Sequence, residues 1–470
     1  MPDYDLAVIG AGAAGLSVTA AAAQLGLRVM LVERDRMGGD CLNVGCVPSK
    51  ALLAAAHAVE TARNAARFGV RLSEPSVDWD ALRRHVHGVI AAIAPNDSTA
   101  RFRALGATVI QAEARFVAPD TLSVDGKHIT AHRIVIAAGT SPAVPPIPGM
   151  DTIPFLTNTT LFGLTERPDH LLILGGGPIG LEMADAFAGL GCQVTLVEAS
   201  TIAAREDAEL VSGLRAALVR RGVRIMENTQ VATVEPGPVL CLADGRRITG
   251  SHLLIATGRR ANLEALNLAA GNVRASTAGV ATDRGLRSVS NRRVFAVGDI
   301  ADPQGLGPRA FTHVASAHAA LVVRRALFRL PAKLDYTALP RVTYTSPELA
   351  QAGLTEAEAR AAGHAVQVLR WPLAENDRAV AERDPTGLVK LVASGNRLLG
   401  VGILSAQAGE MIGLWTLAIS QRTRLSALAG LILPYPTRGE AGKRAAGSAF
   451  ASRLFSSRTK SLVRLLARWP

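Results

Sequence analysis

Two stretches of this chain repeat one plan at one spacing, and that repeat limits the possible folds more than any other feature. In the first, Tyr4 to Ile9 reads as a buried strand, Gly10-Ala11-Gly12-Ala13-Ala14-Gly15 as a turn, and Leu16 to Leu25 as a helix. Val29 to Glu33 reads as the next strand. Glycines at Gly10, Gly12 and Gly15 let the backbone approach a pyrophosphate at a helix N-terminus, and Glu33 can accept from a ribose hydroxyl. The second copy runs through His170 to Leu174, the turn Gly175-Gly176-Gly177-Pro178-Ile179-Gly180, the helix Leu181 to Leu190, and the strand Val194 to Glu198. From first glycine to acid the distance is 23 positions in both. A lone glycine motif is weak; strand, turn, helix, strand and acid in order make a strong one. The reading is α/β, with two Rossmann-like dinucleotide-binding domains.

Each half continues to an Asp-Gly hairpin signal, Asp125-Gly126 and Asp244-Gly245. Each then ends in a strand and glycine turn, Ile134 to Thr140 and Leu253 to Gly258. Between acid and hairpin the first copy is longer by 46 positions. That surplus holds a cysteine-bearing helix and a second helical run, about Trp79 to Leu105. Pro142, Pro145, Pro146 and Pro148 make a stiff link between the halves.

The surplus carries the stretch Gly38-Gly39-Asp40-Cys41-Leu42-Asn43-Val44-Gly45-Cys46-Val47-Pro48-Ser49-Lys50. Pro48 suits the first turn of a helix that runs on through Ala51 to Ala55. Cys46 then lies at a helix N-terminus, whose partial positive charge favours the thiolate. A low-pKa thiol beside a second thiol suits reversible disulfide exchange. Two unrelated core cysteines, or half of a metal site, are the competing readings. A zinc site takes about four ligands, and no other Cys or His lies close by in sequence.

Only four cysteines occur in 470 residues, the others being Cys192 and Cys241 in apolar surroundings. That fits a reducing compartment rather than a disulfide-stapled secreted scaffold. The uncharged run Leu6 to Leu27 is long enough for a membrane span. However, Asp3 and Asp5 precede it where a signal peptide would carry positive charge, and it holds the first glycine motif. A cytoplasmic protein is expected. The net charge of +12 invites a nucleic-acid reading. The arginines are spread along the chain, and no nucleic-acid-binding motif accompanies them. A basic surface that favours anionic cofactors is expected, with no nucleic-acid partner.

Further on, Arg293 to Asp299 reads as a buried strand ending on a carboxylate, which is either a helix cap or a ligand contact. From Leu339 the character changes. Arg341 to Tyr344 and Leu388 to Val392 read as strands, and Glu356 to Ala362 and Glu410 to Ser420 as helices. With no glycine loop, this is an α+β domain concerned with assembly. The expected boundaries are 1–150 and 271–335 for the first nucleotide domain, 151–270 for the second, and 336–470 for the last.

These motifs together resemble the flavin-dependent pyridine nucleotide–disulfide oxidoreductases, the family of dihydrolipoamide dehydrogenase, glutathione reductase and mercuric reductase. The resemblance implies FAD in the first domain, NAD(P)H in the second and a homodimer through the third. It assigns Gly10, Gly12, Gly15 and Glu33 to FAD, together with Lys50, Ala114, Gly139 and Asp299. It assigns Gly175, Gly177, Gly180, Glu198 and Gly258 to NAD. Lys50 would sit near the flavin and pair with Glu182. The implied reaction passes electrons from NAD(P)H to flavin, then through Cys46 to the Cys41–Cys46 disulfide, and from the outer thiol Cys41 to a disulfide or another soft acceptor. Glu198 favours NADH over NADPH, because a 2′-phosphate would meet its carboxylate.

One departure bears on the substrate. Reductases of dithiols usually carry His-Pro near the C-terminus, with a Glu a few residues later. Here the run is Leu433-Pro434-Tyr435-Pro436-Thr437-Arg438-Gly439-Glu440, so Glu440 is in place and Tyr435 replaces the histidine. A phenol of pKa near 10 is no substitute for imidazole as a neutral-pH base. Lipoamide and glutathione become doubtful, and the pattern resembles mercuric reductase, which has a tyrosine in this region. That enzyme also uses a C-terminal cysteine pair, and here no cysteine follows Cys241. A dihydrolipoamide dehydrogenase of a 2-oxo acid complex is one alternative. The other is a redox-sensing or membrane-associated electron-transfer flavoprotein serving a quinone or a partner protein. For the latter, Leu462, Leu465, Leu466 and Trp469 share a helical face, with basic residues interspersed. The same helix could pack on the dimer.

Overall fold

The computed structural model describes residues 1–469. The first strand, Tyr4–Ile9, lies between Val29–Glu33 and Lys127–Ile136, all parallel. Thr108–Gln111 extends the sheet on one side, and Val294–Ala296 pairs in parallel with Lys127–Ile136. The hairpin strands Ala114–Ala118 and Thr121–Val124 continue it antiparallel. Asp125 and Gly126 both take positive φ, 49° and 74°, which is the turn their dipeptide predicts. Ala13–Gln24 and Thr312–Val322 are the helices that pack over this core, with Leu16, Val18, Ala315 and Ala319 buried between them and the sheet.

The second unit repeats the parallel order with Val223–Met226, Gln193–Val197, His170–Leu174 and His252–Ile255. Its antiparallel appendage is Val231–Glu235, Val239–Leu242 and Arg247–Thr249. Two short strands, Thr140–Pro142 and Arg259–Ala261, pair where the chain leaves and re-enters the first unit. The last unit is a five-stranded antiparallel sheet covered by the helices Ala408–Ser420 and Glu440–Ser448.

Both glycine-loop helices begin three residues earlier than the apolar pattern indicates, at Ala13 and Pro178. The reason is that the third glycine lies inside the first turn, against the first. A Cβ on Gly15 would stand 1.9 Å from the Gly10 carbonyl oxygen, and one on Gly180 would stand 2.0 Å from that of Gly175. Gly10 and Gly175 turn the chain at φ +102° and +114°, a region side chains rarely enter. The run Leu6 to Leu27 is therefore a strand, a turn and a helix. Among the described residues one helical run, Gly39–Phe68, is long and apolar enough to cross a membrane by length and composition. It is broken at Val44 and Gly45, and its second part packs against the Pro178–Gly189 helix.

The C-terminal tail forms two helices, Ala451–Leu454 and Ser457–Leu466, where one is expected. Ser456 interrupts it by taking the N-cap position and accepting from the Thr459 N–H. Leu462, Leu465, Leu466 and Trp469 are all exposed in a single chain.

Candidate active site

Cys41 sits in the short helix Gly39–Asn43, and Cys46 opens the helix Cys46–Asn64. The turn between them is tight. A Cβ on Gly45 would meet the Asp40 carbonyl oxygen at 2.8 Å, and the buried Asn158 amide donates to the Val44 carbonyl at 3.1 Å. Both thiols are free in this structure, Cys46 exposed and Cys41 half-buried. They are electrostatically unlike. The Cys41 thiol donates to Cys46, the Thr312 hydroxyl lies 3.5 Å from Cys46 Sγ, and the Lys50 ammonium is near. Together these bring the Cys46 pKa down to about 6, from an ordinary value of 9.0. The same hydrogen bond, with burial, pushes Cys41 well up.

One helical turn on, Lys50 Nζ lies 2.6 Å from Glu182 Oε2 and 4.4 Å from the centre of the Tyr344 ring. Glu182 projects, buried, from the Pro178–Gly189 helix, and its other oxygen accepts from the Tyr344 N–H at 3.1 Å. Elements of all three units thus converge below the thiols. Leu52, Leu53 and Ala56 of the cysteine helix pack with Leu181, Ala184 and Phe187 of the second unit. Each large side chain buried there contributes about 1.5–3 kcal/mol.

A second network flanks the pair. Asp299 Oδ2 accepts from the Thr140 hydroxyl at 3.0 Å, and Thr140 Oγ1 accepts from Arg259 Nε at 2.6 Å. Arg259 also pairs with Asp40, the neighbour of Cys41. Burial pushes the Asp299 carboxyl up, against the pull of Arg259. Thr312, Tyr344, Thr140, Arg259 and Asn158 are given no site role by the sequence. None carries a local signal, since each acts across a long sequence separation.

At the glycine loops, Glu33 Oε2 accepts from the Ala11 N–H at 2.6 Å and Glu198 Oε2 from the Gly176 N–H at 2.7 Å. The middle glycines leave room. A Cβ on Gly12 would meet only Gly39 Cα, at 4.0 Å, and one on Gly177 would meet nothing. Open backbone at a helix N-terminus beside an acid fits a dinucleotide at both sites. Gly139 and Gly258 precede the paired strands that carry Thr140 and Arg259. Ala114 is buried at the start of its strand, in the first core.

Tyr435 and Glu440 belong to the last unit, and neither touches the thiols within one chain. Tyr435 is 68% exposed, and its hydroxyl donates to Asp377 Oδ2 at 2.8 Å. That bond raises the phenol pKa further. Between them the buried Arg438 is clamped by Glu382 and Asp384, at 2.8 and 2.9 Å. Glu440 opens the helix Glu440–Ser448.

Comparison with known proteins accords with this geometry. Residues 4–321 match the family model described as pyridine nucleotide-disulphide oxidoreductase, and residues 339–446 match its dimerisation domain. A mercuric reductase of Streptomyces lividans is 40% identical over 458 residues, covering 94% of this chain and 95% of the relative. A dihydrolipoyl dehydrogenase of Thermus scotoductus is 34% identical, over 94% of this chain and 96% of that one. The HOCl-induced flavoprotein disulfide reductase RclA of Escherichia coli superposes with a TM-score of 0.84 at 27% identity, covering 94% of this chain and 99% of that one. The protein is an NAD(P)H-dependent FAD enzyme that works as a homodimer, and the chain belongs to the pyridine nucleotide–disulfide oxidoreductase family.

Proposed function

We propose that Cys46 is the thiol through which electrons enter the pair, that Cys41 exchanges with the acceptor, and that the acceptor is a soft, thiophilic electrophile, with Hg(II) foremost. The observation that carries this is the unequal pair. With its pKa near 6, Cys46 is a thiolate at neutral pH, held by Cys41, Thr312 and Lys50. When bound, the flavin supplies two-electron transfer between NAD(P)H and the thiols. Gly10, Gly12, Gly15 and Glu33 would hold its adenosine and pyrophosphate, and Asp299 its ribityl side. Glu182 fixes the Lys50 ammonium one turn from Cys46, so that positive charge stands where the thiolate forms. Gly175, Gly177, Gly180 and Glu198 would hold NADH.

The reaction balances as NADH plus Hg(II) giving NAD⁺, a proton and Hg(0), with the thiols cycling between dithiol and disulfide. The 40% identical mercuric reductase supports Hg(II). The dihydrolipoamide alternative needs a neutral-pH base where Tyr435 stands, and positioned acid–base catalysis is worth about 10²–10⁴-fold. The cytoplasm is the compartment in which such a dithiol stays reduced.

The test is an anaerobic screen of purified enzyme with NADH against Hg(II), oxidised glutathione and quinones, with dihydrolipoamide plus NAD⁺ in parallel. Hg(II)-dependent NADH oxidation should be lost in both Cys41→Ser and Cys46→Ser. Dihydrolipoamide should turn over slowly, and Tyr435→His should speed it. Dihydrolipoamide turnover at about 10²–10³ per second in the unmodified enzyme would overturn the assignment. Quinone reduction that survives Cys41→Ser would also overturn it, in favour of direct electron transfer.

A further inference from the structure

An unassigned cleft lies at the opposite end of the first sheet from the glycine loop. It is an open cleft of about 690 Å³ lined by Arg133, Arg287, Arg292, Arg293, Arg325 and Arg329, with His132, Leu330 and Pro331 beside them. These arginines come from three places that the fold brings together. Arg133 is in the strand Lys127–Ile136, Arg292 and Arg293 lead into the parallel strand Val294–Ala296, and Arg287 sits where the chain bridges to Phe295. Arg325 and Arg329 close the cleft from the end of the helix that begins at Thr312. In register, Val294 pairs with Ile134, so Arg293 and Arg133 enter the sheet side by side. Cofactors bind at the carboxyl ends of such strands; this cleft is at their amino ends.

The charges are almost uncompensated. Arg325 pairs with Asp283, at 2.6 and 2.7 Å. Among the described residues, Arg133, Arg287, Arg292, Arg293 and Arg329 form no ion pair, and the one side-chain bond of Arg133 is to the His132 carbonyl, at 2.9 Å. Elsewhere arginines of this chain find carboxylates readily, as Arg215, Arg341 and Arg438 do. Like charges gathered in a concave surface repel one another, and burial with the charges of Arg329, Arg293 and Arg287 presses the Arg133 pKa down. Folding keeps this cost, and a bound polyanion would offset it.

We propose that this cleft is a binding site for an oligophosphate anion, of three or more phosphates. Guanidinium forks match phosphate oxygens two at a time. Five unpaired cations exceed what one orthophosphate can neutralise, since it carries about two charges. The volume suits a small ligand, because ligand clefts span roughly 300–1,000 Å³. An extended polymer would need a stripe of cations along the surface, whereas these are gathered in one cleft. Leu330 and Pro331 give the rim an apolar face on which the organic part of a nucleotide could rest.

The test uses the FAD-loaded dimer, with NAD⁺ saturating the second glycine loop, titrated calorimetrically with sodium tripolyphosphate. One tripolyphosphate per chain should bind, with affinity falling as salt rises. The double variant R293Q/R329Q changes exposed side chains only and should bind at least about tenfold more weakly. Its flavin reduction by NADH should be unaltered. Arg458→Gln together with Arg464→Gln removes the same charge from the tail and should leave affinity unchanged. ATP binding as tightly would include nucleotides in the ligand class, and ATP failing to bind would restrict it to inorganic chains. Absence of tripolyphosphate binding, equal affinity for orthophosphate, equal binding by the cleft variant, or capture of duplex DNA without tripolyphosphate would each overturn the proposal.

Discussion

The two nucleotide units handle their glycines alike and differ in the connection from the second strand to the third. In the first unit residues 34–107 make that connection; in the second, residues 198–222 do so with one main helix, Ala208–Arg220. The longer connection carries the thiols, yet its helix does not stay with its own sheet. It lies against Pro178–Gly189, where Ala56 approaches so closely that a Cβ on Gly189 would stand 3.1 Å from the Ala56 Cβ. An inserted segment of one dinucleotide fold thus becomes part of the wall of the other. The thiols sit between two copies of one fold, on a helix that belongs by sequence to one and by packing to both.

The most drastic way to test that equivalence is to jam each loop separately. Gly15→Val and Gly180→Val place side chains at 1.9 and 2.0 Å from backbone oxygens that cannot step aside. The overpacking is alike in the two, of order 1–3 kcal/mol or more. The consequences should differ completely. Gly15→Val should purify colourless, having lost its flavin, while Gly180→Val should purify yellow and fail to be reduced by NADH. Absorbance near the flavin maximum and stopped-flow reduction check this. A colourless Gly180→Val protein would show that the second loop supports the first fold and is not an independent site.

A smaller effect isolates the shared helix. Reduction of the enzyme without oxygen should produce a long-wavelength thiolate-to-flavin absorbance, absent in Cys46→Ser and retained in Cys41→Ser. Its pH dependence is set by the depressed Cys46 pKa. The thiolate, and with it the band, is fully present well above pH 6 and is lost as pH falls through about 6. Lys50→Met removes a cation that lowers this pKa and should move the midpoint upward. A band that survives Cys46→Ser, or a midpoint indifferent to Lys50→Met, would break the assignment of roles within the pair.

Most of the architecture was legible because it is local. Strands of buried apolar residues, glycine turns and Asp-Gly hairpins carry their signals within a dozen positions, and the Cys41–Cys46 stretch announces a helix start. Contacts that folding alone brings together escaped. Thr312 reaches Cys46 across 266 positions, Tyr344 reaches Glu182 across 162, and Arg259 reaches Asp40 across 219. The arginine cleft is the sharpest instance. Arginines scattered along a sequence look like a diffuse basic surface, and parallel register sets Arg133 beside Arg293 although 160 positions separate them. The break in the tail is different, since its signal is local: the Ser456 hydroxyl caps the helix that carries the apolar stripe.

The finest distinction between the two units is in their acids. Glu33 and Glu198 both accept from the loop N–H just after the first glycine, at 2.6 and 2.7 Å. The second oxygen of Glu33 takes the Asp35 N–H, at 2.8 Å. That of Glu198 takes both the N–H and the hydroxyl of Ser200, at 2.8 and 3.0 Å. Glu198 is therefore fixed by three loop donors, and if it reads the ribose 2′-hydroxyl, a 2′-phosphate would crowd the same side chain. NADH should be preferred over NADPH by about tenfold in kcat/KM, or about 1.4 kcal/mol. Glu198→Ala should narrow that preference by weakening NADH and sparing NADPH. Glu33→Ala, the same change in the other unit, should loosen FAD and leave the NADH to NADPH ratio as it was. Steady-state kinetics with both nucleotides, on enzyme reconstituted with excess FAD, separate the two. A ratio that moves with Glu33 instead of Glu198 would mean that the two loops do not divide their cofactors as their shared geometry implies.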